Sequence, residues 1–280
     1  MAPLCHSSGD RNRQKLNIME NELFLRITSF VGILAFIALW EIVAPRRPLT
    51  SRKGPRWFAN LSMIAIATLL IRFTFPLLPA GLAIIAQERG WGILNLISLP
   101  SWLAVTIALL ALDLVIYLQH VMFHFLPILW RLHRMHHSDL DLDASSGIRF
   151  HPLEIMISIG IKLGAVLIIG PSPFAVLLFE ILLNAATIFN HGNIRIPLGI
   201  DRWLRTVVVT PDMHRVHHSI LPRETNSNFG FSLSWWDFLC GTYRAQPGAG
   251  HLEMTIGLKQ YRNPARLTLA RLLVQPFERN

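Results

Sequence analysis

Twelve histidines stand out in this sequence as side chains that can do chemistry. Most of them lie in three clusters with helical spacing, and residues three and four apart in a helix share a face. The clusters are His120-x3-His124, His133-x2-His136-His137 and His214-x2-His217-His218. Imidazole is a common ligand of iron, zinc and copper. We therefore expect each cluster to aim its imidazoles at one point and to bind metal.

Two single histidines, His151 and His191, lie between the clusters. A lone histidine is more often a hydrogen-bonded structural residue, and a pH-sensing cluster would not need the repeated ligand spacing. One metal ion takes about four to six ligands. The eight clustered histidines, with His151 and His191 as further candidate ligands, therefore predict two metal ions.

Long apolar runs must position these histidines. Of the 280 residues, 52% are hydrophobic and 15% are charged, against about 25% charged in an ordinary soluble domain. This composition excludes a soluble domain and a largely disordered chain, and the presence of only two cysteines, Cys5 and Cys240, excludes a disulfide scaffold. The apolar runs cover residues 24–44, 59–86, 102–121, 155–170 and 174–189. The sequence thus predicts an all-α, polytopic membrane protein with four to five transmembrane helices.

Basic residues indicate the orientation of these spans. The net charge is +9, and Lys and Arg are concentrated after the first, third and fifth runs. Five crossings place those loops on one side, which the positive-inside rule makes the cytoplasm. The candidate ligands then form a cytoplasmic histidine-rich helical cap, and the positive charge requires no nucleic-acid partner. Arg11, Arg13 and Lys15 fall on the opposite side in this scheme, against the rule.

We divide the chain into an N-terminal membrane region with two spans (1–100), a histidine-rich domain (101–245) and a C-terminal tail (246–280). In the tail, residues 255–277 mix Leu and Ile with Lys and Arg, which predicts an amphipathic helix on the membrane surface. Asp113 lies inside the third run, where an unpaired carboxylate is costly. It either holds a ligand histidine in its tautomer or makes a helix-packing contact.

Over about residues 100–245, the sequence resembles the fatty acid hydroxylase/sterol desaturase superfamily of membrane-bound di-iron oxygenases. The three clusters carry the resemblance, although membrane acyl desaturases share them, and four shorter segments reinforce it. These are residues 149–154 (Arg-Phe-His-Pro-Leu-Glu), 190–193 (Asn-His-Gly-Asn), 210–213 (Thr-Pro-Asp-Met) and 236–242 (Trp-Asp-Phe-Leu-Cys-Gly-Thr). The last segment is similar to the family's Trp-Asp-x-x-Phe-Gly-Thr, with Cys240 where Phe is usual.

The resemblance implies a helical membrane domain at 101–245 that holds two iron ions in its cytoplasmic cap. The eight clustered histidines carry over as ligands, and His191 matches a family histidine near the site. Some members have another histidine about one turn earlier, where this chain has Ala186 or Thr187. His151 remains a candidate ligand, and we assign catalytic roles to Asp113 and to Asp237 of the 236–242 motif.

The implied reaction is the O2-dependent hydroxylation or desaturation of an unactivated C–H bond in a lipid from the bilayer. No side chain abstracts such a hydrogen, so a redox metal is needed, and zinc has no redox chemistry. The sequence has no G-x-G-x-x-G dinucleotide motif and no cysteine set for an iron–sulfur cluster. Electrons are therefore expected from an external ferredoxin or b-type cytochrome that docks on the basic face.

Two other function classes remain open on the residues alone. A membrane metal transporter would pass zinc between the histidines, but it needs ionisable residues along several spans, and here Arg72, Asp113, Lys162 and Glu180 are scattered. A catalytically silent interaction protein would not need intact clusters. The lipid itself stays open among sterols, carotenoids, fatty acyl chains, sphingolipids and ether lipids. The lack of an endoplasmic reticulum retention tail favours a bacterial inner membrane.

Overall fold

The computed structural model describes residues 8–278, and for residues 8–21 it describes only the helical backbone. This part of the chain is all-helical and has no β-strand beyond isolated bridges. The helices are α1 (Ser8–Val43), α2 (Lys53–Thr74), α3 (Pro79–Arg89), α4 (Ile93–Leu96), α5 (Ser101–Phe125), α6 (Pro127–His137), α7 (Pro152–Ile169), α8 (Pro173–His191), α9 (Leu198–Leu204), α10 (Pro211–His217), α11 (Pro222–Thr225), α12 (Trp235–Leu239), α13 (Gly250–Glu253) and α14 (Leu269–Val274). Cys5 and the side chains of Arg11, Arg13 and Lys15 lie outside the described residues.

Five segments are long and apolar enough to cross a membrane, which confirms the predicted membrane architecture. They are Glu22–Val43, Lys53–Leu96, Ser101–Phe125, Pro152–Ile169 and Pro173–His191. The second segment is not one helix, because it breaks between α2 and α3 at residues 75–78. A residue that precedes proline avoids the helical region, and proline suits the first position of a helix. Pro76 and Pro79 therefore end α2 and begin α3.

A sharp turn between α5 and α6 brings the first two histidine clusters face to face. Leu126 is extended (φ −91°, ψ 116°), and Pro127 begins α6. Because the residue before a proline disfavours helical geometry, one continuous helix cannot form through this point. Helices α5 and α6 then pack against each other, and α5 also packs against α7 and α8.

The segment between α6 and α7 is buried and is fastened to α2 by ion pairs. Arg56 of α2 donates from Nε to Asp139 Oδ1 at 2.7 Å and from Nη1 to Asp143 Oδ2 at 2.7 Å. Arg149 donates to Asn60 Oδ1 at 3.1 Å and to Ser138 Oγ at 3.1 Å. These guanidinium groups lower the pKa of Asp139 to about 2 against the effect of burial, which raises it. The contacts hold the end of α6 against the membrane spans.

The prediction of one amphipathic helix over residues 255–277 is wrong. The segment is divided into short helical turns, Lys259–Tyr261, Pro264–Arg266, α14 and Gln275–Phe277, because Pro264 and Pro276 cannot continue a helix. Its apolar residues Tyr261, Leu267 and Leu272 are buried in one cluster with residues of α2, α6 and the following loop. The tail therefore covers the histidine-bearing part of the bundle.

Replacing Arg56 by Met should destabilise the protein by about 3 kcal/mol, because two carboxylates would lose their cation in a buried setting. Arg52→Met is the matched control, since Arg52 is exposed one helical turn away. The melting temperature in detergent measures the effect. Equal melting temperatures for the two variants would show that the Arg56 network does not stabilise the fold.

Candidate metal centre

Nine buried histidines converge on one side of the helical bundle in two groups. Group 1 contains His120, His124, His133, His137 and His217, and group 2 contains His136, His191, His214 and His218. Within each group, the candidate ligand nitrogens all lie within 4.8 Å of one another. The ligands come from α5, α6, α8 and α10, with His218 directly after α10. The structure thus brings together all eight clustered histidines and His191.

Each His-x2-His-His cluster is divided between the two groups, although the spacing predicted one shared point. In α6 the first and last histidines join group 1 and the middle one joins group 2, whereas α10 and His218 show the reverse. The reason is geometric. Residues i and i+4 of a helix differ by about 40° in direction, but i+3 and i+4 differ by about 100°. Adjacent histidines such as His136 and His137 therefore face different groups.

The outer ring nitrogens show which nitrogen of each histidine is available to a metal. The Nδ1–H of His120 donates to the carbonyl of Phe229 at 2.7 Å, and that of His136 donates to the carbonyl of Arg149 at 3.0 Å. The Nδ1–H of His217 donates to the carbonyl of Ser227 at 2.7 Å. A carbonyl oxygen can only accept, so the hydrogen of a neutral ring lies on Nδ1. Nε2 then carries a lone pair, as in metal-bound histidine.

Two close pairs of Nε2 atoms test whether these residues fit a metal. Nε2 of His120 lies 3.1 Å from Nε2 of His133, whose Nδ1–H donates to Glu154 at 2.6 Å. Nε2 of His136 lies 3.0 Å from Nε2 of His191, whose Nδ1–H donates to the carbonyl of Thr187 at 2.8 Å. In the His136–His191 pair both Nδ1–H groups donate to carbonyls, so two lone pairs face each other, and a bound cation would stabilise them. Two nitrogens that each lie about 2.1 Å from a shared metal ion, with a right angle between the two bonds, are about 3 Å apart. The observed distances therefore fit a metal ion.

Other inward-facing nitrogens in group 1 have no protein partner. Nε2 atoms of His124, His137 and His217 are buried and form no hydrogen bond within residues 8–278. A buried polar atom without a partner costs free energy. Coordination to a metal would satisfy all three nitrogens.

Burial also keeps these imidazoles in the form that binds metal. Burial lowers the pKa of His133 to about 3. It lowers the pKa of His137 and His218 well below the ordinary value, and neighbouring imidazoles lower it further. The rings are therefore neutral near pH 7, and neutral imidazole is the ligand form.

His151 is not brought to either group, in contrast to its assignment from the sequence. Its ring serves the start of α7 instead. Nδ1 accepts a hydrogen bond from the Leu153 amide at 3.2 Å and caps the helix, and Nε2–H donates to the carbonyl of Leu273 at 3.2 Å. Both nitrogens are thus used by the backbone.

The two aspartates predicted to be catalytic lie outside both groups and brace residues 229–237. Asp113 Oδ2 accepts from Trp236 Nε1 at 2.9 Å and from the Leu233 amide at 3.2 Å. Asp237 accepts from the amides of Phe229 at 2.7 Å and Gly230 at 2.9 Å. Since the Phe229 carbonyl orients His120, the aspartates act on the centre through this segment. Asp113 and Asp237 are therefore positioning residues for this segment.

Glu154 is a functional residue that the sequence reasoning missed. Its segment was recognised as a motif, but His151 was selected from it. In the structure Glu154 Oε1 accepts the Nδ1–H of His133 at 2.6 Å, and its Oε2 is buried with no partner in the described chain. The sequence did contain a signal for Glu154. It is a carboxylate in the first turn of an apolar helix, and such a group needs a partner.

An apolar cavity of about 190 Å³ reaches the centre from the membrane-spanning helices. It lies between α5, α7 and α8, with Phe30 of α1 and Ile64 of α2 also contributing to its lining. Two members of group 1, His120 and His133, line it as well. A hydrocarbon chain in this cavity would therefore lie against the histidine centre.

Comparisons with known proteins agree with this arrangement. Residues 105–242 match the family model described as fatty acid hydroxylase. This range falls inside the predicted domain at 101–245, whose bounds stay a prediction. No solved structure matches the chain.

Two relatives are named as an ornithine lipid hydroxylase and an alkylglycerol monooxygenase. The ornithine lipid hydroxylase OlsE of Rhizobium tropici is 31% identical over 184 residues, which cover 64% of this chain and 52% of that protein. The alkylglycerol monooxygenase of Homo sapiens is 31% identical over 144 residues, which cover 50% of this chain and 30% of that protein. The matched region thus spans about half of the first relative and less than a third of the second.

Replacing one histidine from each group should lower the metal content, because each variant removes a ligand from a different site. We expect His217→Ala (group 1) and His136→Ala (group 2) each to retain about half of the wild-type metal. His151→Ala is the matched control and should keep all of it. Elemental analysis of protein purified in mild detergent measures metal per chain. Undiminished metal in both group variants would contradict the assignment.

Proposed function

Because the chain belongs to the fatty acid hydroxylase family through residues 105–242, we propose that it is a membrane-bound oxygenase that uses two iron ions and O2 to hydroxylate a lipid. One observation carries this proposal. His120 and His133 belong to group 1 and also line the apolar cavity between the spans. A C–H bond of a lipid chain in that cavity would lie next to a metal-binding group.

Iron fits the proposed chemistry better than zinc. The oxidation of an unactivated C–H bond needs redox chemistry that side chains do not provide and zinc lacks. Iron held by the two groups would supply it. The same oxidising chemistry could remove a second hydrogen and give desaturation, but both relatives are named for hydroxylation or monooxygenation. We therefore propose hydroxylation for this chain.

The protein's own residues would bind the lipid and hold the ligands in place. Ile116 and Ile159 line the cavity and exclude water from it, which limits side reactions. Glu154 orients His133, and the Phe229 carbonyl orients His120. Asp113 and Asp237 fix the segment that carries this carbonyl. None of these groups needs to exchange a proton with the lipid.

The alternative of zinc transport is not favoured, because the buried ionisable groups Glu180 and Asp113 in the spans are already held by partners within the protein. Lys162 donates to Glu180 at 3.1 Å, and Arg26 donates to the same carboxylate at 2.6 Å. Asp113 is engaged by Trp236 and Leu233. A transport path needs ionisable groups that can release one ligand and take the next along a span.

The cellular setting follows from charge. The basic loops place the histidine side in the cytoplasm by the positive-inside rule, and the bacterial relative favours an inner membrane. The C-terminal segment that covers this side exposes Lys259, Arg262, Arg266 and Arg271. We propose that an acidic ferredoxin or b-type cytochrome docks there and supplies electrons.

Iron-loaded protein in lipid vesicles, supplied with a reductase system and 18O2, should place one 18O atom in a lipid product. Mass spectrometry of extracted lipids measures the label. His136→Ala and His217→Ala should abolish incorporation while the protein still accumulates in membranes, and His151→Ala should retain it. Labelled product from either group variant would refute the assigned site.

Reversing charge on the C-terminal segment should slow turnover without changing metal content. Arg262→Glu combined with Arg266→Glu should raise the donor concentration needed for half-maximal rate several-fold at low salt. High salt should narrow the difference, because screening weakens attraction between exposed charges. Arg223→Glu, an exposed arginine of α11, is the control. A turnover rate of the wild-type protein that does not change with ionic strength would exclude docking of the electron donor by charge.

A further inference from the structure

Helix α7 presents a polar stripe to the cavity. Glu154, Ser158 and Lys162 follow one another at four-residue spacing, and all three line the cavity. Residues four apart lie on one face of a helix, so the stripe runs along the cavity away from the histidine centre. Polar residues in a membrane span cost free energy, and they often mark a functional site.

The protein itself engages both charged members of the stripe, although Glu154 Oε2 has no partner in the described chain. Glu154 accepts from His133 at one end. At the other end Lys162 donates to Glu180 at 3.1 Å, and Arg26 donates to that carboxylate as well. Between these ends, one contact within the described part of the chain engages the polar side chains of Ser158 and Gln119.

That contact leaves hydrogen-bonding capacity unused. Gln119 Nε2 donates to Ser158 Oγ at 3.1 Å, and Gln119 Oε1 is buried with no partner in the described chain. The Ser158 hydroxyl then still has its own hydrogen to donate. If the amide is turned the other way, its NH2 group is the atom left without a partner. Either way one amide atom of Gln119, a residue that lines the cavity, has no partner in the described chain.

A hydroxyl group matches this unused capacity, because a hydroxyl both donates and accepts. Gln119 Oε1 would accept its hydrogen and Ser158 would donate to its oxygen. A plain alkyl chain would instead leave a buried amide atom unpaired, at a cost in affinity.

We propose that Gln119 and Ser158 form a subsite for a hydroxyl group of the lipid substrate. This inference rests on the proposed lipid hydroxylation and narrows the substrate to lipids with a hydroxyl close to the oxidised carbon. Gln119 directly precedes His120 of group 1. Ser158 lies about 6 Å along α7 from Glu154, the partner of His133. A hydroxyl bound there would hold the carbons a few bonds away against group 1.

Binding of two matched probes tests the subsite without turnover. The probes are 1-hexadecanol and its methyl ether, 1-methoxyhexadecane, which lacks the hydroxyl hydrogen. Affinity is measured from the rise in melting temperature of the metal-loaded protein in detergent as probe is added. We expect the wild-type protein to prefer the alcohol by about tenfold.

Gln119→Met keeps the side-chain length and removes the amide, so it should abolish the preference. Gln87→Met makes the same change on an exposed position of α3 and should leave the preference intact. Ser158→Ala should reduce it. Equal affinity for both probes in the wild-type protein, no binding of either probe, or an unchanged preference in Gln119→Met would overturn the proposal.

This experiment separates the subsite from the proposed reaction. It uses neither O2 nor reductant, so a failed lipid oxidation does not affect its outcome. If the alcohol preference depends on Gln119 but no lipid acquires 18O, the subsite stands and the reaction is wrong. If lipid is oxidised but the probes bind equally, the reaction stands and the subsite is wrong.

Discussion

The arrangement of the helices around the centre depends on buried histidine nitrogens whose lone pairs face each other. These lone pairs repel each other unless a cation lies between them. In the His136–His191 pair each Nδ1–H is committed to a backbone carbonyl, so the Nε2 atoms meet at 3.0 Å with no hydrogen between them. Protonation is an expensive solution, because burial disfavours the charged ring. A metal ion bound between the rings would resolve the conflict, and the packing of α5, α6, α8 and α10 brings the nine histidines into two groups that could hold such ions.

The acceptors that fix the rings are mostly backbone carbonyls, and this ties the centre to the loops around it. Phe229, Ser227 and Arg149 supply carbonyls from segments without regular structure. Such segments keep their shape only when other contacts hold them. Asp237 holds the first of these segments, and the buried ion pairs of Arg56 hold the loop that leads to Arg149. Charged groups remote from the metal groups thus determine the ring orientations.

The sequence predicted which histidines meet but not how they divide. Helical spacing identified the eight clustered histidines, and Asn190-His191-Gly192-Asn193 identified the ninth. Spacing could not assign His136 and His137 to different groups, since that depends on where α6 lies relative to α8 and α10. The roles of His151 and Glu154 could not be separated from the sequence for a similar reason. Both stand at the start of α7, and only the packing shows that Glu154 faces His133 while His151 caps its own helix.

Polar residues inside the spans differ in how far their hydrogen-bonding groups are paired within the protein. Asp113 is engaged by Trp236, and Lys162 and Arg26 close around Glu180. Within hydrocarbon each such group must find a partner, because no water is present to replace one. Gln119 and Ser158 contact each other and leave one amide atom without a partner, beside the cavity and next to the candidate ligand His120. An open pair that lines the cavity is consistent with a partner that arrives from the bilayer, because a hydroxyl group there would use the amide atom that the fold leaves without a partner.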